Sequence, residues 1–303
     1  MTDQRSAALL DYAYGALPAT IALSRLLTAC GSEAEARLAL DGAIDHCAAN
    51  GEAAGRLRAL DALWAEHPEA FATLSATLER LGDTRSGRFS VADWAQAFDR
   101  VVEGSPEASV AIYSLGSKSL LDMATQDVCG WMADTGLLGP QRDGLDLGCG
   151  IGRFLEALAP HMRSLVGVDV SGRMVDEARR RCSALTNVKI MQESGQGLES
   201  VASDSIDLVL ASDVFPYLVD VGQGLPNRHL AECTRVLRRG GYLLILNYAY
   251  AGSDADHIEA LSESISSTSL RIVKCAERPF RHWDAAVYLL QRSGARSQAR
   301  LRA

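Results

Sequence analysis

The chain has 303 residues, 48% of them apolar and 22% charged, which is an ordinary globular balance and suits two domains. Its formal net charge of −8 and pI near 5.3 oppose the positive field with which proteins bind nucleic acids, so we expect no nucleic-acid partner. Seven scattered cysteines fit neither a zinc knuckle nor a disulfide framework, and no apolar run reaches the ~18–20 residues of a membrane span. We therefore expect a cytoplasmic protein without a signal peptide or membrane partner.

The first part of the chain, to about residue 137, is rich in alanine and leucine and has helical periodicity. One apolar face repeats at Leu57, Leu60, Leu63 and Trp64. Ser90 is a candidate N-cap for a helix that carries Trp94, and Ser105-Pro106 is typical of the start of another helix. The pattern predicts an all-α domain over residues 1–110, which could form a lid, a dimer interface or both.

After Gly139-Pro140 the pattern changes to short β-branched runs separated by helical stretches. The predicted strands are Leu145–Leu147, Leu165–Asp169, Val188–Met191, Ile206–Ala211, Tyr242–Tyr248, Leu270–Lys274 and Ala285–Leu290. Gly240-Gly241 is expected to end the helix before the fifth strand. This alternation predicts βαβ units, an α/β fold and a mostly parallel, doubly wound sheet over residues 111–291. Residues 292–303 form a basic tail, either flexible or a binding element.

Residues 145–154 read LDLGCGIGRF, a strand that runs into three alternating glycines. Arg153 occupies the position of the third glycine of a dinucleotide-binding turn, and no GK[ST] follows, so both the NAD fingerprint and the P-loop fail. Asp146 precedes Gly148 by two residues and would repel a pyrophosphate but attract an ammonium group. Asp169 ends the next strand, where a carboxylate can accept both hydroxyls of a ribose. The two acids together predict a ligand that joins a nucleoside to an amino acid.

Four segments, in order, resemble the class I S-adenosylmethionine-dependent methyltransferases: LDLGCGIG, VGVDVSGRMVDEA, SIDLVLASDVFPYL and HLAECTRVLRRGGYLLI. The resemblance covers about residues 110–291. It implies a Rossmann-like, seven-stranded sheet in the order 3-2-1-4-5-7-6, with strand 7 antiparallel, after the all-α domain. It also implies S-adenosyl-L-methionine as cofactor and S-adenosyl-L-homocysteine as product.

Carried over to this sequence, the resemblance places the three glycines under the methionine part of the cofactor, Asp146 at its amino group and Asp169 at its ribose. Val170 and Met174 would pack against adenine, and Ser194 or Gln196 would replace an acid that often faces the adenine amino group. Tyr113 would cover the cofactor's carboxylate or present its ring to the sulfonium, or else be a half-buried tyrosine at a helix end. The implied cofactor-binding set is Tyr113, Asp146, Gly148, Gly150, Gly152, Asp169, Val170, Met174, Ser194, Gly195 and Ser212.

Candidates for chemistry follow the fourth and fifth strands, because ligands of open α/β sheets bind at the carboxyl ends of strands. Asp213 is either a base or orienting carboxylate, or a helix cap. His282 either reaches the acceptor or is a structural histidine. The predicted acceptor pocket consists of Phe215, Tyr217, Asn247, Tyr248 and Tyr250. The histidines show no ligand spacing, so we predict no metal.

These features predict a methyltransferase that transfers a methyl group to O, N or C of a small organic molecule, in specialised metabolism and by in-line displacement. One alternative is a cofactor-binding protein of the same fold that acts as a cyclase or regulator. Another is a methyltransferase of protein or RNA, which the acidic charge disfavours. A homodimer through the N-terminal helices is an expected assembly.

Overall fold

The computed structural model describes residues 4–82, 89–222 and 224–294. The chain divides into two compact units: the first contains Met1–Gly87, Gln96–Trp131 and Pro279–Asp284, and the second contains Arg88–Ala95, Met132–Arg278 and Ala285–Ala303. The sequence predicted an all-α domain over residues 1–110, a methyltransferase domain over residues 111–291 and a tail over residues 292–303. In the structure, residues 89–95 and 279–284 each belong to a different unit from their neighbours in the chain, which local composition does not reveal. Within the described ranges, no helix combines the length and the apolarity needed to cross a membrane.

The first unit is all-α, as predicted. Its helices, two of which continue into the second unit, are α1 (Gln4–Ala13), α2 (Ala19–Ala29), α3 (Glu33–His46), α4 (Gly51–Glu66), α5 (Ala70–Leu81), α6 (Val91–Val102), α7 (Pro106–Val110) and α8 (Lys118–Asp134). Side-chain caps begin several of them: Ser32 accepts from the N–H of Glu35, Asn50 from that of Ala53. The apolar faces of these helices meet in one core that includes Leu23, Leu26, Leu57, Leu60, Trp64 and Leu74.

The second unit contains a seven-stranded sheet. Its strands are β1 (Gly139–Leu147), β2 (Met162–Asp169), β3 (Val188–Gln192), β4 (Ile206–Ser212), β5 (Leu237–Leu246), β6 (Leu270–Glu277) and β7 (Val287–Arg292). They lie in the order β3-β2-β1-β4-β5-β7-β6, with β7 antiparallel to both of its neighbours. The predicted fold class, strand order and antiparallel strand are confirmed.

The helices of this unit are α9 (Arg153–Leu158), α10 (Gly172–Arg181), α11 (Phe215–Val221), α12 (Leu225–Val236) and α13 (Asp254–Ile265). The strand order reverses between β1 and β4, which pair in parallel with Leu147 opposite Ala211. Ligands of open α/β sheets bind in the crevice at the carboxyl ends of the strands at such a reversal. The topology therefore directs attention to the residues that follow β1 and β4.

Two predicted boundaries differ from the structure. Gly240-Gly241 lies inside β5 rather than at a helix end, because the chain pairs Ile206 with Leu237 and then Leu208 with Tyr242, so the residues between form a bulge. Arg292 ends β7 and forms an ion pair with Asp204, so the basic tail does not begin there. The rest of the predicted tail from residue 295 lies outside the described residues.

Candidate functional site

The glycine turn links β1 to α9 and requires glycine for two reasons. Gly148, Gly150 and Gly152 have φ angles of 69°, 51° and 83°, in the left-handed region that side chains disfavour. A Cβ on Gly148 would also lie 2.2 Å from Cγ2 of Val214, just after β4. The backbone of the turn thus comes directly against the residues that follow β4.

Asp146 is the penultimate residue of β1 and has 2% exposure. Neither of its carboxylate oxygens has a hydrogen-bond partner among the described residues. The pKa of this carboxyl is raised from 3.8 to about 8, mainly by burial. The negative charge of Asp169 also raises it, whereas the positive charge of Arg153 opposes the shift. A buried acid with two unpartnered oxygens is costly unless a donor pairs with it, and a primary ammonium group supplies both the hydrogen bonds and the charge.

Asp169, the last residue of β2, is held by the backbone at both carboxylate oxygens. Oδ2 accepts from the N–H of Gly150 at 2.9 Å, and Oδ1 accepts from the N–H of Ser171 at 2.9 Å. Ser171 also caps α10 by accepting from the N–H of Met174. The structure therefore brings Asp169 and the glycine turn together, while contact of Asp169 with a ribose stays a prediction.

The residues predicted to surround adenine lie beyond the ends of β2 and β3. A Cβ on Gly195, whose φ is 70°, would lie 2.5 Å from Cγ1 of Val170, so these two residues are in close contact. Met174 is buried in the first turn of α10. Ser194 is exposed, and its hydroxyl accepts from the N–H of Gln196 at 3.1 Å. Val170 and Gly195 thus meet at the sheet edge, while Ser194 and Gln196 form a local turn; contact of these residues with adenine stays a prediction.

Arg153 is a buried member of the site that sequence reasoning considered only as a missing glycine. Its Nη2 lies 3.4 Å from Oγ of Ser212, the last residue of β4, and its guanidinium lies 4.5 Å from the ring centre of Phe154. Its positive charge also lowers the pKa of the Asp146 carboxyl. The sequence signal that could have revealed this role is the position of the arginine at the start of α9, directly after the glycine turn.

A second group of side chains forms where β4 and β5 end. Oδ1 of Asp213 accepts from Nδ2 of Asn247 at 2.8 Å and from the hydroxyl of Tyr250 at 3.1 Å. The ring of Tyr217 lies 6.0 Å from that of Tyr250, edge to face, and the ring of Trp94 lies 4.7 Å from that of Tyr217. We call these five residues the Asp213 cluster. Trp94 entered the prediction only as part of a helix face, since nothing local links it to a residue over a hundred positions later.

Two of the predicted pocket residues lie in the core instead. Phe215 has 0% exposure and stacks on Tyr248, with ring centres 5.8 Å apart. Tyr248 is also buried and contacts Tyr288 and His257, and burial raises the pKa of its phenol. Both aromatic residues follow a strand end, as the prediction assumed, but the chain turns their rings inward.

Two other candidates, Tyr113 and His282, belong to the first unit rather than to the predicted methyltransferase region. The ring of Tyr113 stacks on Trp283 with centres 5.4 Å apart. Nδ1 of His282 lies 2.8 Å from Oδ2 of Asp127, which also accepts from the backbone N–H of His282 at 2.8 Å. This pairing orients the histidine within its unit; contact of Tyr113 with a cofactor and of His282 with an acceptor stay predictions.

Comparison with known proteins identifies the fold of the second unit. Residues 145–245 match the family described as "Methyltransferase domain". Together with the observed strand order, this match shows that the second unit has the class I methyltransferase fold. The cofactor of that class is S-adenosyl-L-methionine. Among the described residues, no group of three histidine, cysteine or acidic side chains could hold a metal ion.

Relatives of known name match the same region. Nodulation protein S of Rhizobium tropici is 30% identical over 106 residues, which cover 35% of this chain and 43% of that protein. Ubiquinone biosynthesis O-methyltransferase of Methylococcus capsulatus is 32% identical over 111 residues, covering 36% of this chain and 44% of that protein. The matches thus span less than half of the length of these relatives, and they concern the methyltransferase domain.

A solved structure extends the likeness in fold. Phosphoethanolamine N-methyltransferase 1 of Haemonchus contortus, in complex with phosphoethanolamine and S-adenosylhomocysteine, aligns with a TM-score of 0.52 and 16% identity. The alignment covers 71% of this chain and 52% of that one. At this identity the likeness describes the fold alone, which agrees with the sheet described above.

Proposed function

We propose that the protein is an S-adenosylmethionine-dependent methyltransferase that acts on a small organic molecule of specialised metabolism by in-line displacement. The observation that carries this proposal is Asp146, a buried acid whose two oxygens lack partners, next to a backbone turn that only glycine can form. An acid in this state suits the amino group of a zwitterionic cofactor, because an ammonium group supplies both hydrogen bonds and a positive charge to the ionised form.

The other residues fit the remaining parts of the cofactor. The backbone at Gly148 and Gly150 allows close approach of its methionine part, and Asp169, fixed by two backbone N–H groups, offers acceptor oxygens to ribose hydroxyls. When bound, the cofactor supplies a methyl group on a positively charged sulfur. The protein then has to orient the acceptor toward this methyl group and to exclude water from the site.

A small acceptor is favoured by charge and by the relatives. The net charge of −8 opposes a nucleic-acid substrate. The name of one relative refers to the biosynthesis of ubiquinone, which is a small molecule. The helical first unit serves this proposal as a lid or as a dimer interface, both of which stay predictions.

Calorimetric titration with S-adenosylhomocysteine, with NADH as control, tests the proposal. We expect micromolar binding of the former alone, and a loss of at least about tenfold in affinity in Asp169→Ala, equivalent to about 1.4 kcal/mol. Asp176→Ala, an exposed acid on α10, is the matched control and should bind normally. Failure of the folded wild-type protein to bind S-adenosylhomocysteine would overturn the proposal, and an unchanged affinity in Asp169→Ala would remove that residue from the site.

A further inference from the structure

We propose that the Asp213 cluster is an acceptor subsite for an amine, so that the nucleophile is nitrogen. This inference rests on the proposed function and adds the substrate class to it. The carboxylate of Asp213 is held by neighbouring side chains, aromatic rings lie beside it, and the Tyr217 phenol is not a base at neutral pH.

The carboxylate of Asp213 has a fixed position. Asp213 and Asn247 are the first residues after β4 and β5, and both adopt a left-handed conformation, with φ angles of 55° and 62°. The Asn247 side chain is held at both ends, because its Oδ1 accepts from the N–H of Ala286 at 3.0 Å while its Nδ2 donates to Asp213. Backbone bonds from Asp213 to Leu246 and from Asn247 to Ala286 complete the arrangement. A carboxylate held by side-chain donors on a residue with left-handed backbone, at a strand end, is typical of a functional position.

The surroundings of this carboxylate favour a positive charge. The ring of Tyr217 meets those of Trp94 and Tyr250 edge to face, and Tyr250 has 64% exposure, so an aromatic residue beside the carboxylate is accessible to a ligand. Aromatic faces attract cations by about 0.5–2 kcal/mol, and a carboxylate attracts them at longer range. The same carboxylate would repel an acceptor that carries its own carboxylate or phosphate next to the nucleophile.

The chemistry of the cluster also favours nitrogen over a hydroxyl. Burial, followed by the negative charge of Asp213, raises the pKa of the Tyr217 phenol, so this group is not a base at neutral pH. A hydroxyl acceptor must lose its proton to a base during the transfer, whereas an amine that has already lost one proton to water has a free lone pair and needs no base at that step. That lone pair forms the N–C bond as the C–S bond breaks, with the electron pair of the latter staying on sulfur. The positive charge thereby moves from sulfur to nitrogen, where a carboxylate stabilises it.

Two probes of equal shape test the charge preference: choline, and its uncharged isostere 3,3-dimethylbutan-1-ol. Each is titrated calorimetrically into the full-length protein, with and without saturating S-adenosylhomocysteine. We expect choline to bind at least about tenfold more tightly than the alcohol. Equal binding of the two, or no binding of choline up to tens of millimolar, would overturn the inference.

Matched variants attribute the preference to Asp213. Asparagine tolerates the left-handed conformation, so Asp213→Asn removes the charge and should bring the affinity ratio of the two probes close to one. Asp204→Asn makes the same change at another left-handed aspartate, before β4, and should leave the ratio unchanged. A ratio that persists in Asp213→Asn would refute the assignment. The affinity for S-adenosylhomocysteine is measured in the same protein. A protein that does not bind S-adenosylhomocysteine would count against the proposed function, whereas the ratio of the two probes tests the amine subsite.

Discussion

The buried carboxyl of Asp146 predicts a coupling between pH, stability and cofactor binding. Its pKa is raised from 3.8 to about 8 by burial, so in the ligand-free folded protein it is protonated at neutral pH, whereas in the unfolded chain it is ionised. The folded state therefore binds this proton more tightly. Its contribution to stability is fully present below about pH 4 and is lost as the pH rises toward about 8.

The size of this effect follows from the shift. Each pH unit between the two pKa values lowers the free energy of unfolding by about 1.4 kcal/mol, so about 2.7 kcal/mol is lost between about pH 5 and about pH 7. Asp146→Asn is a neutral isostere that cannot titrate. The difference in unfolding free energy between wild type and this variant, measured by urea denaturation across that range, should thus change by about 2.7 kcal/mol in favour of the variant.

Cofactor binding should reverse the protonation. A ligand ammonium group pairs with the ionised form of Asp146, so S-adenosylhomocysteine should displace about 0.9 proton near pH 7, and its affinity should rise up to about tenfold per unit from about pH 5.5 to 7. Calorimetry in buffers of different ionisation enthalpy counts the protons released, and Asp146→Asn should release none. Binding without proton release in the wild type, together with a pH-independent stability difference, would refute the ammonium assignment.

Three further substitutions test other parts of the molecule. Gly148→Ala should lower the free energy of unfolding, measured by denaturant melts, by about 1–3 kcal/mol more than Gly240→Ala. Both glycines have a positive φ, but only a Cβ on Gly148 would meet Val214, at 2.2 Å. Equal losses in the two variants would contradict this. Asp143→Asn should lower stability by about 1 kcal/mol at neutral pH, because arginine partners hold the pKa of this carboxyl well below its usual range, and should leave S-adenosylhomocysteine affinity unchanged. Arg153→Met removes the charge that lowers the pKa of Asp146, so the midpoint of the pH dependence of S-adenosylhomocysteine affinity should move to higher pH; an unmoved midpoint would exclude this coupling.

The parts of the fold that were predictable are those governed by local pattern. Apolar runs gave the seven strands, and Ser105-Pro106 gave the start of α7, because capping and periodicity act over a few residues. The bulge at Gly240-Gly241 was missed, since it depends on the register of β5 against β4 rather than on the glycines themselves. The division between the units likewise depends on contacts between segments that are distant in the chain, which local pattern does not show.

The site residues also fall into two groups, those that local motifs place together and those that only the fold brings together. Asp146, the glycines and Asp169 lie in contiguous motifs, so the sequence could place them together. The Asp213 cluster combines residues from α6, from α11 and from the ends of β4 and β5, and only the topology brings Trp94 to Tyr217. Phe215 and Tyr217 are two residues apart and were predicted alike, but their different directions on α11 put one ring in the core and the other in the cluster.

The two carboxylates at the ends of β1 and β4 are held in opposite ways, and this difference separates their roles. Asp146 has no partner among the described residues, so its charge is costly until a ligand brings donors. Asp213 already accepts hydrogen bonds from Asn247 and Tyr250, so donors are present at this carboxyl group before any ligand arrives. A group that ionises on binding reports the arrival of its ligand as a released proton, whereas a group that already has donors needs no such change. Proton release should therefore accompany S-adenosylhomocysteine and be absent when choline binds, which assigns each ligand to its own carboxylate.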